Sequence, residues 1–99
     1  MTETSKSISE WAVALFGESG SDARVAARAL QEMAELFTKV TSNKSGKEIA
    51  EECADVVIVL ARLANRNGYD IFEMVDEKMK VNRARKWVLD GTGHGYHVK

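Results

Sequence analysis

Apolar residues recur at helical spacing through most of this chain. In "ARVAARALQEMAELFTKV", Val25, Leu30, Met33, Leu36 and Phe37 follow the three- and four-residue steps that line one face of a helix. A shorter helix precedes it, roughly Ser7 to Phe16, and "FGESGSD" separates the two, with Ser21 or Asp22 as the N-cap. "TSNKSGKE" is the next interruption. A third helix follows, about Lys47 to Asn65, with apolar residues nearly all round its middle, the pattern of a helix buried on most sides. "NRNGYD" ends it, with Gly68 as C-cap and Asp70 capping a fourth helix, "IFEMVDEKMKVNRARKWVL". That helix turns Ile71, Met74, Val75, Met79 and Val81 inward. The glycine-rich end "DGTGHGYHVK" cannot be regular helix, and no stretch alternates like a strand. The pattern predicts an all-α, four-helix bundle-type domain over residues 1–99, with a helical core at about 7–88 and a tail at 89–99.

Composition narrows the setting. With 99 residues, 44% hydrophobic, the chain can build one small core, and a core this modest leaves oligomerisation open. A net charge of -1 recruits neither nucleic acid nor anionic membrane, so no stable nucleic-acid binding is expected. No apolar run reaches membrane-spanning length, and the start "MTETSKSISE" is unlike a signal peptide. Cys53, the single cysteine, fits a reducing cytoplasm and reads as a small packed side chain.

The chemistry lies in the acids. Glu52 and Asp55 stand three apart beside "VVIVL", and Glu32 and Glu35 form a second such pair beside Met33 and Leu36. Helices two and three, joined by a short loop, should pack antiparallel and bring the pairs together. Four carboxylates near a core repel one another and lose solvation, and a hard dication such as Mg²⁺, or Mn²⁺ in its place, removes both problems. Taken singly, each pair is better explained as solvated helix surface, because such spacings are abundant in charged helices. On helix four, Lys78, Asn82 and Arg85 fall on one face and could grip phosphate, or simply complement the helix C-terminus.

Other residues stay open between two roles. Trp11 is either a core or interface aromatic, or a platform against which a bound ligand packs; Phe16 leans to the core and Trp87 to anchoring the end of helix four. His94 and His97 lack the further ligands of a zinc site. A tail carrying His94 and Tyr96 could instead close over a bound ligand, on its own or a neighbouring subunit.

Together these residues resemble the all-α nucleotide pyrophosphohydrolases, the MazG-like proteins and their dimeric dUTPase relatives. The family pattern is E-E-x-x-E, a spacer, E-x-x-D, then K-x-x-x-N-x-x-R. This chain reads "QEMAE", sixteen residues, "ECAD", then "KMKVNRAR", in order over roughly 25 to 87, with Gln31 in place of the first glutamate. The ends, a Trp-bearing helix finishing in "FG" and the "DGTGHGYH" tail, look like short phage-type members, some of which act on dATP and dGTP. The resemblance implies a helical bundle completed as a homodimer or homotetramer. It implies hydrolysis of a nucleoside triphosphate to monophosphate and pyrophosphate. Glu32, Glu35, Glu52 and Asp55 would be the catalytic metal ligands, and Lys78, Asn82 and Arg85 would hold phosphate. Two rivals are a house-cleaning hydrolase of damaged or uracil nucleotides and a non-catalytic, metal-binding helical oligomer or adaptor.

Overall fold

The computed structural model describes residues 2–98; Met1 and Lys99, the ends of the expected domain, lie outside the described residues. Four helices follow in order: α1 (Ser5–Phe16), α2 (Asp22–Thr41), α3 (Gly46–Arg66) and α4 (Ile71–Ala84). Each starts on a side chain that accepts a backbone N–H from the first turn: Thr4 from Ser7, Ser21 from Arg24, Ser45 from Glu48 and Asp70 from Glu73. Ser21, not Asp22, is therefore the cap of α2. Asp22 accepts instead from Arg66 Nε (2.8 Å) and Asn67 Nδ2 (3.0 Å), tying the start of α2 to the end of α3. Those bonds, the one from Arg66 foremost, hold its carboxyl below the usual range.

The all-α reading holds, with one correction at the C-terminal end. Helix α4 stops at Ala84, and the chain continues as a small antiparallel hairpin, β1 (Trp87–Leu89) paired with β2 (Gly95–His97). Arg85 is already extended, and Trp87 Nε1 donates to the Asn82 carbonyl (2.8 Å), closing the end of α4 as expected of that residue. Three-residue strands are too short to show alternation in sequence. Gly95 permits the pairing, because a Cβ there would collide with the Val88 carbonyl.

The core is smaller than the apolar pattern suggested. α3 packs along α2 and α1 and touches α4. The buried apolar residues are Ile8, Ala12, Val25, Ala29, Val56 and Ala61. Of the stripe expected to face inward on α2, Val25 is buried and Leu36 half-buried, whereas Leu30 (73% exposed), Met33 and Phe37 (69% exposed) face out. Two apolar stripes run along α2, and α3 covers only the one through Val25, Ala29, Glu32 and Leu36. The middle of α3 is likewise open at Val57 and Ile58, and Cys53 is exposed. On α4, Ile71 and Met74 are half-buried, while Val75, Met79 and Val81 are exposed. The radius of gyration is 15.8 Å, where a compact chain of this length would have about 13 Å.

Candidate active site

Because α2 and α3 lie side by side, the two acidic pairs meet. One carboxylate oxygen from each of Glu32, Glu52 and Asp55 falls within 4.8 Å of the others. Glu32 is 6% exposed, Glu52 is half-buried and Asp55 is exposed, so the group opens from a dry interior to solvent. Glu35 lies beside this trio, lining the same cleft and adding its repulsion at Glu32. Burial, helped by the charges of Glu35 and Asp55, pushes the Glu32 carboxyl above the usual range against the opposing pull of Arg28.

The two inner glutamates share an unusual arrangement. Glu32 Oε1 pairs with Arg28 Nη2 at 2.6 Å and Glu52 Oε1 lies 3.9 Å from Lys39 Nζ, yet Oε2 of both is buried without a hydrogen-bond partner. A dry, unpaired carboxylate oxygen is costly. Two of them, on residues that converge with a third acid, match the oxygen-rich environment of a hard dication.

Beside the acids lies a cleft of about 570 Å³. Glu32, Glu35 and Asp55 line one end, and Trp11, Phe16, Ser19, Arg24 and Arg62 contribute to the rest. From Glu35 to Arg24 the wall of α2 runs about 16 Å at 1.5 Å per residue. Trp11 and Phe16 meet edge to face, with ring centroids 5.8 Å apart. Arg62 Nη2 donates to the Gly17 carbonyl (2.8 Å), so α3 holds the loop that brings Ser19 to the cleft. The cleft thus joins an anionic, metal-suited end to an aromatic and cationic one.

Trp11 is therefore at the cleft, and Phe16, expected in the core, is there too. Lys78, Asn82, Arg85, His94 and Tyr96 are not among the residues lining it. Arg85 falls just past α4, so the expected stripe is helical only at Lys78 and Asn82. Sequence reasoning missed Arg24 and Arg28. Their spacing to Glu32 and Glu35 carried the signal, since positions 24, 28, 32 and 35 share one face of α2.

The MazG-like family model matches residues 27–95, a span that contains both acidic pairs. The chain belongs to the MazG-like family. It is 33% identical over 72 residues to the dATP/dGTP diphosphohydrolase of Cyanophage S-2L, covering 73% of this chain. The match spans 64% of that relative's length. Among solved structures it is similar to the Cyanophage S-2L MazG-like pyrophosphohydrolase bound to dGDP and three catalytic Mn²⁺ ions per active site. That similarity has a TM-score of 0.71 at 28% identity, over 96% of this chain and 93% of the other. The helical architecture of this MazG-like chain is therefore the family's own. No helix among its described residues is long and apolar enough to cross a membrane.

Proposed function

We propose that this MazG-like chain hydrolyses dATP and dGTP to the monophosphate and pyrophosphate, using Mg²⁺ or Mn²⁺, in the cytoplasm of a bacterial cell or phage host. The observation that carries the reading is the convergence of one carboxylate oxygen from each of Glu32, Glu52 and Asp55 beside the cleft, with Oε2 of both glutamates buried and unbonded. The cyanophage enzyme named for dATP and dGTP, and the Mn²⁺- and dGDP-bound relative, support the substrate and metal.

Glu32, Glu52 and Asp55, with Glu35 beside them, would hold the ions. When bound, the dications supply charge neutralisation at the phosphates and a more acidic water. Trp11 offers a face for the base or deoxyribose at the aromatic end of the cleft. Lys78, Asn82 and Arg85 hold phosphate oxygens, and the hairpin with His94 and Tyr96 covers the bound nucleotide. Since none of these five lines the cleft of the single chain, they meet substrate through assembly. The exposed stripe of Leu30, Met33, Phe37 and Val40 and the extended shape support a homodimer or homotetramer.

A panel of the common ribo- and deoxynucleoside triphosphates, scored for monophosphate and pyrophosphate, tests the proposal. Turnover of dATP and dGTP above the pyrimidine nucleotides is expected. Release of orthophosphate, or no turnover of any nucleotide with either metal, would reject it.

A further inference from the structure

We infer that Arg28 is a positioning residue for the metal centre: it holds Glu32 by Oε1 and so keeps Oε2 free for the ion. The inference rests on reading the acidic cluster as a metal site, and it concerns a residue outside that cluster.

The geometry is specific. Arg28 Nη2 lies 2.6 Å from Glu32 Oε1, while Nη1 donates to Gln31 Oε1 at 3.0 Å. One planar guanidinium therefore spans the side chains three and four residues ahead of it, the neighbours a helix provides. Its planar fork presents the two donors in fixed geometry, which the rotating ammonium of a lysine does not. Gln31 stands where the family pattern has glutamate. An amide oxygen accepts from Arg28 without a second negative charge that would compete with Glu32 for the guanidinium.

Glu32 needs such a hold. Its side chain is 8% exposed, its Oε2 has no partner, and Asp55 and Glu35 repel its charge. By binding Oε1, Arg28 fixes the rotation of this carboxylate while Oε2 stays buried without a partner. Glu52 is the built-in contrast, because Lys39 Nζ stays 3.9 Å from its Oε1, beyond hydrogen-bond distance.

Two effects of Arg28 on a dication oppose each other. Its positive charge repels the ion, and its hydrogen bond orients the ligand. The Arg28 side chain is 55% exposed, so water and salt screen the repulsion. The oriented carboxylate is dry, and losing a partner that orients a metal ligand typically costs about 10- to 100-fold in metal affinity. Orientation should win.

The test is a Mn²⁺ titration of the full-length protein without nucleotide, following free Mn²⁺ by electron paramagnetic resonance. Circular dichroism on each variant checks that it is folded. Arg28→Ala should weaken Mn²⁺ binding about 10- to 100-fold. Arg28→Lys should recover part of that loss, since an ammonium reaches Glu32 but cannot span to Gln31. Lys39→Ala removes a similar charge near Glu52 and should stay close to wild type. Arg28→Ala binding as tightly as wild type, or an equal loss in Lys39→Ala, would overturn the inference. If Arg28→Ala does not fold, Arg28→Lys decides alone: weaker binding supports the inference and unchanged binding overturns it. Wild-type protein that binds no Mn²⁺ would instead bring down the metal reading itself.

Discussion

Ser5 and Asp70, 65 residues apart in sequence, cap each other's helix. The Ser5 N–H donates to Asp70 Oδ1 at 2.6 Å, and the Ile71 N–H donates to Ser5 Oγ at 2.7 Å. The starts of α1 and α4 are thereby joined, and Ser5 is fully buried. Ser5→Ala leaves the Ile71 N–H without its acceptor and should cost about 1–2 kcal/mol. Thermal unfolding should show a drop of about 4–8 °C for each kcal/mol lost. An unchanged melting temperature would mean that water replaces the hydroxyl.

The same junction sets an acid dependence. Backbone N–H groups, that of Ser5 foremost, hold the Asp70 carboxyl below its ordinary 3.8. A depressed acid stabilises the fold while ionised. That contribution is complete above the unfolded value and is lost as pH falls through the folded one. Denaturant titrations at stepped pH should show wild type losing more stability below pH 3.8 than Asp70→Asn, which has no proton to take up. Parallel losses in the two proteins would refute this.

Glu32 has the opposite sign. Burial raises its carboxyl, so the folded state favours the protonated form and loses stability as pH rises above the ordinary 4.5 toward the raised value. Glu32→Gln should therefore melt at or above the wild-type temperature at neutral pH without metal, although it loses the Arg28 ion pair. The same variant should no longer gain stability from Mn²⁺, since ligand binding to the folded state is what raises the midpoint. A metal-free protein much less stable than wild type would show that the ion pair outweighs the burial.

How much of this was legible in the sequence depends on how local the cause is. The caps at Ser21 or Asp22 and at Asp70, and the turn formers between helices, act within a few residues, so all four helices could be read. The meeting of Glu32 with Glu52 and Asp55 followed from i, i+3 spacing and a short antiparallel connection. Which stripe of α2 faces inward did not follow, because Val25 and Ala29 lie on one apolar stripe and Leu30 and Phe37 on another. Hydrophobicity alone does not say which one α3 covers and which one it leaves exposed. The 87–97 hairpin depends on a close approach at Gly95, which leaves no period. Arg24 and Arg28 belong to no sequence motif, and only the cleft gives their face of α2 a purpose.

The proposed assembly rests on the uncovered stripe. Light scattering should show a dimer or larger species at micromolar concentration, and Phe37→Glu should shift it toward smaller species by placing charge in the interface. A stable wild-type monomer would leave the exposed stripe unexplained and remove the route proposed for bringing α4 and the hairpin to substrate.

The basic stripe separates from solubility by a paired substitution. Arg85→Ala should lower kcat/KM by about 10- to 100-fold, the worth of a charge-assisted contact to phosphate. Arg83→Ala removes the same charge two residues away and should have only a small, salt-screened effect. Equal small losses would reduce Lys78, Asn82 and Arg85 to a solvated face.

The measurement closest to the central claim is hydrolysis of dGTP by wild type and Asp55→Asn across a Mn²⁺ titration, with dGMP and pyrophosphate quantified. Asp55 is the exposed member of the converging trio, so its substitution should leave the helices intact by circular dichroism. Wild type should release dGMP and pyrophosphate in equal amounts, only with metal, and Asp55→Asn should release neither at any Mn²⁺ concentration that saturates wild type. Near-wild-type turnover by Asp55→Asn, or metal-independent turnover by wild type, would contradict the claim that these carboxylates hold the catalytic ions.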